Sequence, residues 1–362
     1  MKINIQILAI HTLLLLTLPI TRTALAIPLY SRQFGVNCSC CHSFAPRLNR
    51  IGLAFQANHY NAGMFKKLSA EKYLPISVQA TYTYSHDITT KDRSANFRDF
   101  ELFLSSGFGS ASAKDRGGYF VHGLAATTAE TRAGNLEYAF VALPLGGKRS
   151  ELTLTVGQAS LLSYQFDAIN SLTESLASTL TNGVADINLT DSVPLLRLDY
   201  FNNRSKGTAD GTYLSIGVPF RGHLELTRNA AIGPNQGVFA HGFVRRGYST
   251  AGILGYVYGS SNTLSLIATY SALDRWFFTG TAGLAHGPGL NNSYLSAEAE
   301  YHVSRRMALT GRSELQSGEV SDLAFLAAIN YYPIASQMLR LRAEMVQKRG
   351  ERAITLAVHV LF

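Results

Sequence analysis

The last segment of the chain alternates. Ile354, Leu356, Val358, Val360 and Phe362 fall on one face, Thr355 and His359 on the other. The same period of two sets Leu264, Leu266, Ala268 and Tyr270 against Thr263, Ser265 and Thr269. It recurs with Leu295, Ala297, Ala299, Tyr301 and Val303 against Ser296, Glu298, Glu300 and His302, and with Leu339, Leu341, Ala343 and Met345 against Arg340, Arg342 and Glu344. Successive side chains of a strand point to opposite sides, so each segment predicts a strand with one apolar and one polar face. From about residue 75 onward such segments, rich in Tyr, Phe, Thr, Leu and Val, are separated by clusters of Gly, Asn, Ser and Asp. No apolar run after the N-terminus is long enough for a membrane helix.

Alternation alone suits a soluble sandwich whose outer face is wet. Number and length point elsewhere: roughly sixteen to seventeen segments of about ten residues match tilted strands crossing a bilayer. In lipid only a closed barrel pairs every strand backbone group. Bacterial barrels have even strand numbers, which predicts an antiparallel transmembrane barrel of about 16 strands over residues 75–362. Phe362, ending an alternating strand, resembles the C-terminal signal of bacterial outer-membrane proteins, so that membrane is the expected location. The apolar faces would then meet lipid. Asp99, Glu101, Arg197, Asp199, Glu298, Glu300, Arg312, Glu314, Arg340, Arg342 and Glu344 would line and cross-brace a polar lumen.

One connection is long. Between Leu161 and Ser192 the chain carries Asp167, Glu174, Asp186 and Asp191 and no Lys or Arg. It follows the fifth expected strand, on the extracellular side if the N-terminus is periplasmic. A solvated loop is the expectation, with attraction of divalent cations as the alternative.

At the other terminus Lys2, the apolar run Ile3–Ile20 and Ala24-Leu25-Ala26 read as a signal peptide over residues 1–26, with an uncleaved anchor helix as the alternative. The formal charge of +8 loses Lys2 and Arg22 with that signal and falls to +6. The remaining charges are scattered, without a basic stripe, which argues against a nucleic-acid partner.

All three cysteines lie in Cys38-Ser39-Cys40-Cys41-His42, so a disulfide framework is excluded. Thiols at i and i+3 can add across the two vinyl groups of haem, and the adjacent imidazole can then ligate the iron. Cys38 and Cys41 are the expected thioether positions and His42 the proximal ligand of one covalent haem c, leaving Cys40 spare. A disulfide among these cysteines, or a zinc site, is the alternative; zinc would want further close ligands. The segment 27–74 that holds the motif is too short for an ordinary independent haem domain, and a barrel lumen would serve as its container.

The run Tyr30-Ser31-Arg32-Gln33-Phe34-Gly35-Val36-Asn37 before Cys38, with Ala45-Pro46-Arg47-Leu48-Asn49-Arg50-Ile51-Gly52-Leu53-Ala54-Phe55 after His42, resembles the fused monohaem c-type cytochrome–porin family. The match covers some thirty residues, and over the barrel only architecture agrees. The chain departs from the family in Cys40, in His59-Tyr60 where Gly-Tyr is more usual, and in a rather short barrel. The resemblance implies a small N-terminal α-helical monohaem cytochrome c segment ahead of an all-β transmembrane barrel. It implies an outer-membrane iron(II) oxidase, an extracellular Fe(II) or other donor, and a periplasmic c-type cytochrome or other carrier as acceptor. Three other readings compete: a solute-conducting porin with a haem-bearing plug, an electron outlet to extracellular acceptors, and a soluble haem enzyme. No second haem motif or clustered acid/base pair favours the last.

The sixth iron ligand is open in the sequence. Leu48, Ile51, Phe55 and His59 recur at helical spacing, predicting a helix from about Pro46 that presents His59. Gly63-Met64 follows in a turn. Met ligation raises the potential relative to a second histidine, and accepting electrons from iron(II) favours that. Met64 is therefore preferred over His59, with another residue or an open site remaining.

Overall fold

The computed structural model describes residues 30, 34–44, 47–57, 76–108, 117–127, 136–145, 151–162, 165, 192–203, 208–220, 237–272, 275–288, 290–318, 322–333 and 339–361. The expected signal peptide, His59, Met64, the acidic positions Asp167, Glu174, Asp186 and Asp191, and Phe362 lie outside them.

Two short strands, β1 (His42–Phe44) and β2 (Arg47–Leu48), form an antiparallel ribbon, followed by a helix, α1 (Arg50–Ala57). The long strands are β3 (Ser77–Asp87), β4 (Arg93–Phe108), β5 (Gly117–Thr127), β6 (Leu136–Leu145), β7 (Leu152–Ser160) and β8 (Ser192–Phe201). They continue as β9 (Gly211–Pro219), β10 (Gly237–Arg246), β11 (Ser249–Tyr258), β12 (Ser261–Ala272) and β13 (Trp276–Gly287). The last five are β14 (Leu290–Ser304), β15 (Met307–Ser317), β16 (Asp322–Tyr331), β17 (Leu339–Lys348) and β18 (Glu351–Leu361). Each pairs antiparallel with its sequence neighbours, and β18 returns to β3, closing a barrel of sixteen strands among the described residues. Closure leaves no unpaired edge.

The polarity is inverted relative to a soluble protein. On β12, Leu264 is 42% exposed and Leu266 53%, while Thr263 and Ser265, which alternate with them, are buried. Leu295, Leu341, Met345 and Leu356 are likewise exposed, and Ser296, Arg342, Glu344 and His359 are buried. The parities read from the sequence therefore hold: one apolar face points out and the other lines the interior. Glu101, Arg197, Asp199, Glu300 and Arg312 are also buried inside. Asp99 of β4 pairs in register with Thr81 of β3.

The lumen is not polar all round, which differs from the expectation. Val193, Leu195, Phe239, Leu254, Tyr256 and Ile267, inward on β8 and β10 to β12, form a buried apolar cluster with Ala159, Leu161 and Leu162. Just after β7, Leu161, Leu162 and Gln165 turn inward onto this wall. Gln165 donates to the Ile267 carbonyl at 2.8 Å and meets His241 Nε2 at 2.7 Å. Arg197 donates to the Ser160 carbonyl at 2.7 Å. Charged side chains concentrate on the other wall, across β14, β15 and β17.

With sixteen strands both barrel termini lie at one end. The longest connections, 161–191 and 220–236, leave the opposite end, as extracellular loops do. Several hairpins there are tight. Gly350, at φ 78°, supplies the left-handed conformation that the 349–350 turn requires.

Candidate functional site

The Cys38–His42 motif begins as a short 3-10 turn, Cys38–Cys40, and passes into β1 at His42. Cys40, Cys41 and His42 are all half-buried. Asn49 ties the motif to the helix that follows. Its Nδ2 donates to the carbonyls of Cys40 at 2.9 Å and Ser39 at 3.3 Å, and its own N–H donates to the Cys41 carbonyl at 2.8 Å. Its Oδ1 accepts from the N–H groups of Ile51 and Gly52, at 2.9 and 3.0 Å, which is an N-cap. Gly52 permits the close approach: a Cβ there would lie 2.2 Å from the Cys41 carbonyl oxygen.

This cap also corrects the expected helix. It starts at Arg50 rather than near Pro46, because Asn49 satisfies the first helical N–H groups and Leu48 is taken up in β2. Phe55 is buried on it while Ile51 is 40% exposed. Among the described residues the expected α-helical cytochrome segment consists of this eight-residue helix, the 3-10 turn, the ribbon and helical positions at Tyr30 and Phe34.

The segment is held inside the barrel on three sides. On the charged wall Arg47 forms a two-pronged pair with Glu300 of β14, at 2.6 and 3.1 Å, and lies over the Phe277 ring at 5.0 Å. Burial works against the Arg47 charge, but Glu300 more than offsets it and raises the guanidinium pKa above its ordinary value. Glu300 also bonds His302, and Phe44 fits between His302, at 5.0 Å, and the edge-on Tyr332, at 4.9 Å. On the opposite side Ala57 packs into Phe201, Tyr213 and Phe243, whose stacked rings are 4.0 and 4.3 Å apart. Arg50 pairs with Asp210 at 3.3 Å. On the third side the Tyr30 hydroxyl donates to Ser105 of β4, and Tyr30 and Phe34 meet Phe55 edge-on at 4.7 and 5.5 Å.

These partners sit near the strand ends on the side of the barrel termini. The described residues among 30–57 thus form a plug across one mouth, with the Cys38–His42 motif inside it. The sequence singled out Glu300 as a lumen residue but not as the anchor of Arg47. Its i+2 partner His302, both on the inward parity of β14, was the available signal.

The structure defines a porin-type β-barrel of the bacterial outer membrane. Solved structures bear out the fold. An anion-selective porin from Comamonas acidovorans aligns with a TM-score of 0.60 at 10% identity, over 79% of this chain and 98% of that one. OmpF from Salmonella typhi, solved with daunomycin, gives 0.58 at 12% identity over 79% and 97%. OmpT of Vibrio cholerae, in its trimer form, gives 0.57 at 10% over 79% and 98%. No family model and no curated protein sequence matches the chain.

Proposed function

We propose that the chain is an outer-membrane electron conduit: a barrel whose own N-terminal plug carries one covalent haem c, oxidising extracellular Fe(II) and passing electrons to a periplasmic c-type cytochrome. The observation that supports it most is the placement of the Cys38–His42 motif in a segment anchored within the lumen by Arg47 and Glu300. The donor set suits the group: two thiols at i and i+3 followed by an imidazole, on a turn that Asn49 and Gly52 hold against α1. Cys38 and Cys41 would hold the haem by thioethers and His42 would be the proximal ligand. Met64, or alternatively His59, would be the distal one. Bound there, haem supplies a one-electron centre.

The chain's own residues do the rest. The Arg47–Glu300 pair and the Ala57 contact fix the motif at the periplasmic mouth, within reach of a soluble carrier. The charged wall of β14, β15 and β17 offers a polar route by which Fe(II) enters from the outer surface as a solute. Each Fe(II) loses one electron and leaves as Fe(III), and the carrier takes that electron.

A second reading is a solute-conducting porin with a haem-bearing plug. The likeness to solved porins, one described as anion-selective, favours it. Two measurements on the purified barrel separate the readings. Peroxidase staining of a denaturing gel tests covalent haem, and anaerobic mixing with Fe(II) while the Soret and α bands are followed tests the donor. Stained protein that Fe(II) reduces supports the conduit. Stained protein that Fe(II) leaves oxidised, with steady single-channel conductance, supports the porin. Unstained protein removes both.

A further inference from the structure

The outer rim of the barrel, at the end away from the termini, carries a cationic strip that faces lipid. The turn at 349–350 and the neighbouring turn 88–92 are joined there. Ile88 N–H donates to the Arg352 carbonyl at 2.8 Å, and Arg352 N–H to Thr89 Oγ1 at 3.0 Å. The two turns therefore present one continuous surface.

Strand parity sorts its charges. Arg352 pairs with Gln347, and Arg93 with His86, in rows continuous with the outward residues Met345 and Ile354. Arg349 sits at the tip of its turn. Asp87, Asp92, Asp322 and Glu351 fall on the inward parity, and three of them are already engaged. Asp87 accepts from the N–H groups of Thr89 and Thr90, at 2.7 and 3.0 Å, Asp322 accepts from Arg349 N–H at 3.2 Å, and Glu351 pairs with Lys348 at 3.0 Å. Arg93, Arg349 and Arg352 are exposed and have no ion-pair partner among the described residues.

Beside Arg349 and Arg352 is a groove of about 410 Å³, lined in part by Thr89, Leu323, Phe325 and those two arginines; the paired Lys348 and Glu351 also line it, and Arg93 stands outside it on the same outward face. Leu323 and Phe325 are outward residues of β16, each about half exposed. An apolar floor beneath guanidinium groups, at the level where tight turns leave the bilayer, matches the boundary between acyl chains and headgroups. Arginine holds phosphate through paired N–H donors.

We propose that this groove binds a phosphorylated lipid of the outer leaflet, its phosphate on Arg349 and Arg352 and within the attraction of the neighbouring Arg93, and an acyl chain on Leu323 and Phe325. The site serves no electron step and is independent of the haem.

The test uses the full-length barrel in detergent, titrated with diphosphorylated lipid A and followed by native mass spectrometry. Arg93→Gln, Arg349→Gln and Arg352→Gln combined should weaken binding by about 100-fold, about fivefold for each arginine. The variant's fold is checked by its compact mobility on an unheated gel. In parallel, the unaltered protein is titrated with enzymatically dephosphorylated lipid A, which should bind far more weakly, so a variant that misfolds still leaves a decisive comparison. Millimolar inorganic phosphate should not displace the lipid. Equal binding of the two lipids, equal binding by a folded triple variant, or displacement by inorganic phosphate would each overturn the proposal.

Discussion

Asn49 and Gly52 show how few atoms fix the candidate site. One side chain closes the Cys38–Cys41 turn and caps the helix, and one missing Cβ lets the two touch. Gly52→Val should therefore push α1 off the Cys41 carbonyl and reduce covalent haem, read by peroxidase staining of protein matched for amount. Cys40→Ser should leave staining unchanged, because Cys40 is the thiol that the i, i+3 spacing does not use; loss of stain would reassign the attachment. Arg47 and Glu300 are a second pair of this kind. Breaking a buried ion pair from one side costs about 3–5 kcal/mol, since the other charge is left without its partner. Arg47→Glu or Glu300→Arg alone should release the plug, seen as faster proteolysis of the N-terminal segment, and the double swap should restore protection. Cysteine spacing made the motif legible in the sequence. Its anchorage was not, because Arg47 and Glu300 are brought together only by closure of the barrel.

At the scale of single elements, alternation was sufficient to orient the strands. The inward sets on β12, β14, β17 and β18 are those whose polar parity the sequence displays, because lipid favours apolar side chains on the other face, with exceptions such as Ser313 on β15. A charge on that face is the corresponding prediction. Leu266→Arg, near the middle of β12, should cost about 2–4 kcal/mol of folding stability in lipid, measured by denaturant titration in vesicles. A cost below about 1 kcal/mol would place Leu266 away from the bilayer core. Parity does not report what an inward residue touches. The apolar wall of Leu195, Phe239, Leu254, Tyr256 and Ile267 was therefore invisible in the sequence: it depends on Leu161 and Leu162, just after β7, packing against it. The start of α1 escaped for a similar reason, since helical spacing ran through Leu48 while the Asn49 cap and β2 stopped the helix short of it.

At the scale of the whole molecule, the described residues form a closed barrel with a plug in one mouth and Leu161, Leu162 and Gln165 turned inward over one wall. Both features narrow the lumen, and the plug is the part that can be removed without touching the wall. Deleting residues 27–75 behind an intact signal should leave a folded barrel and raise its single-channel conductance in planar bilayers well above that of the full chain. Equal conductance would mean that the segment does not obstruct the pore. The architecture was legible in the sequence because strand number, length and alternation are global constraints; the plug's position was not, because it rests on contacts with β4, β8 to β10, β14 and the end of β16 that lie far apart in the chain. The central claim is that this plug bears haem bound through Cys38 and Cys41. The intact mass of the denatured chain isolated from the outer membrane tests it most directly. A mass exceeding that of the polypeptide by one haem is predicted, and a mass equal to the polypeptide alone would contradict the account.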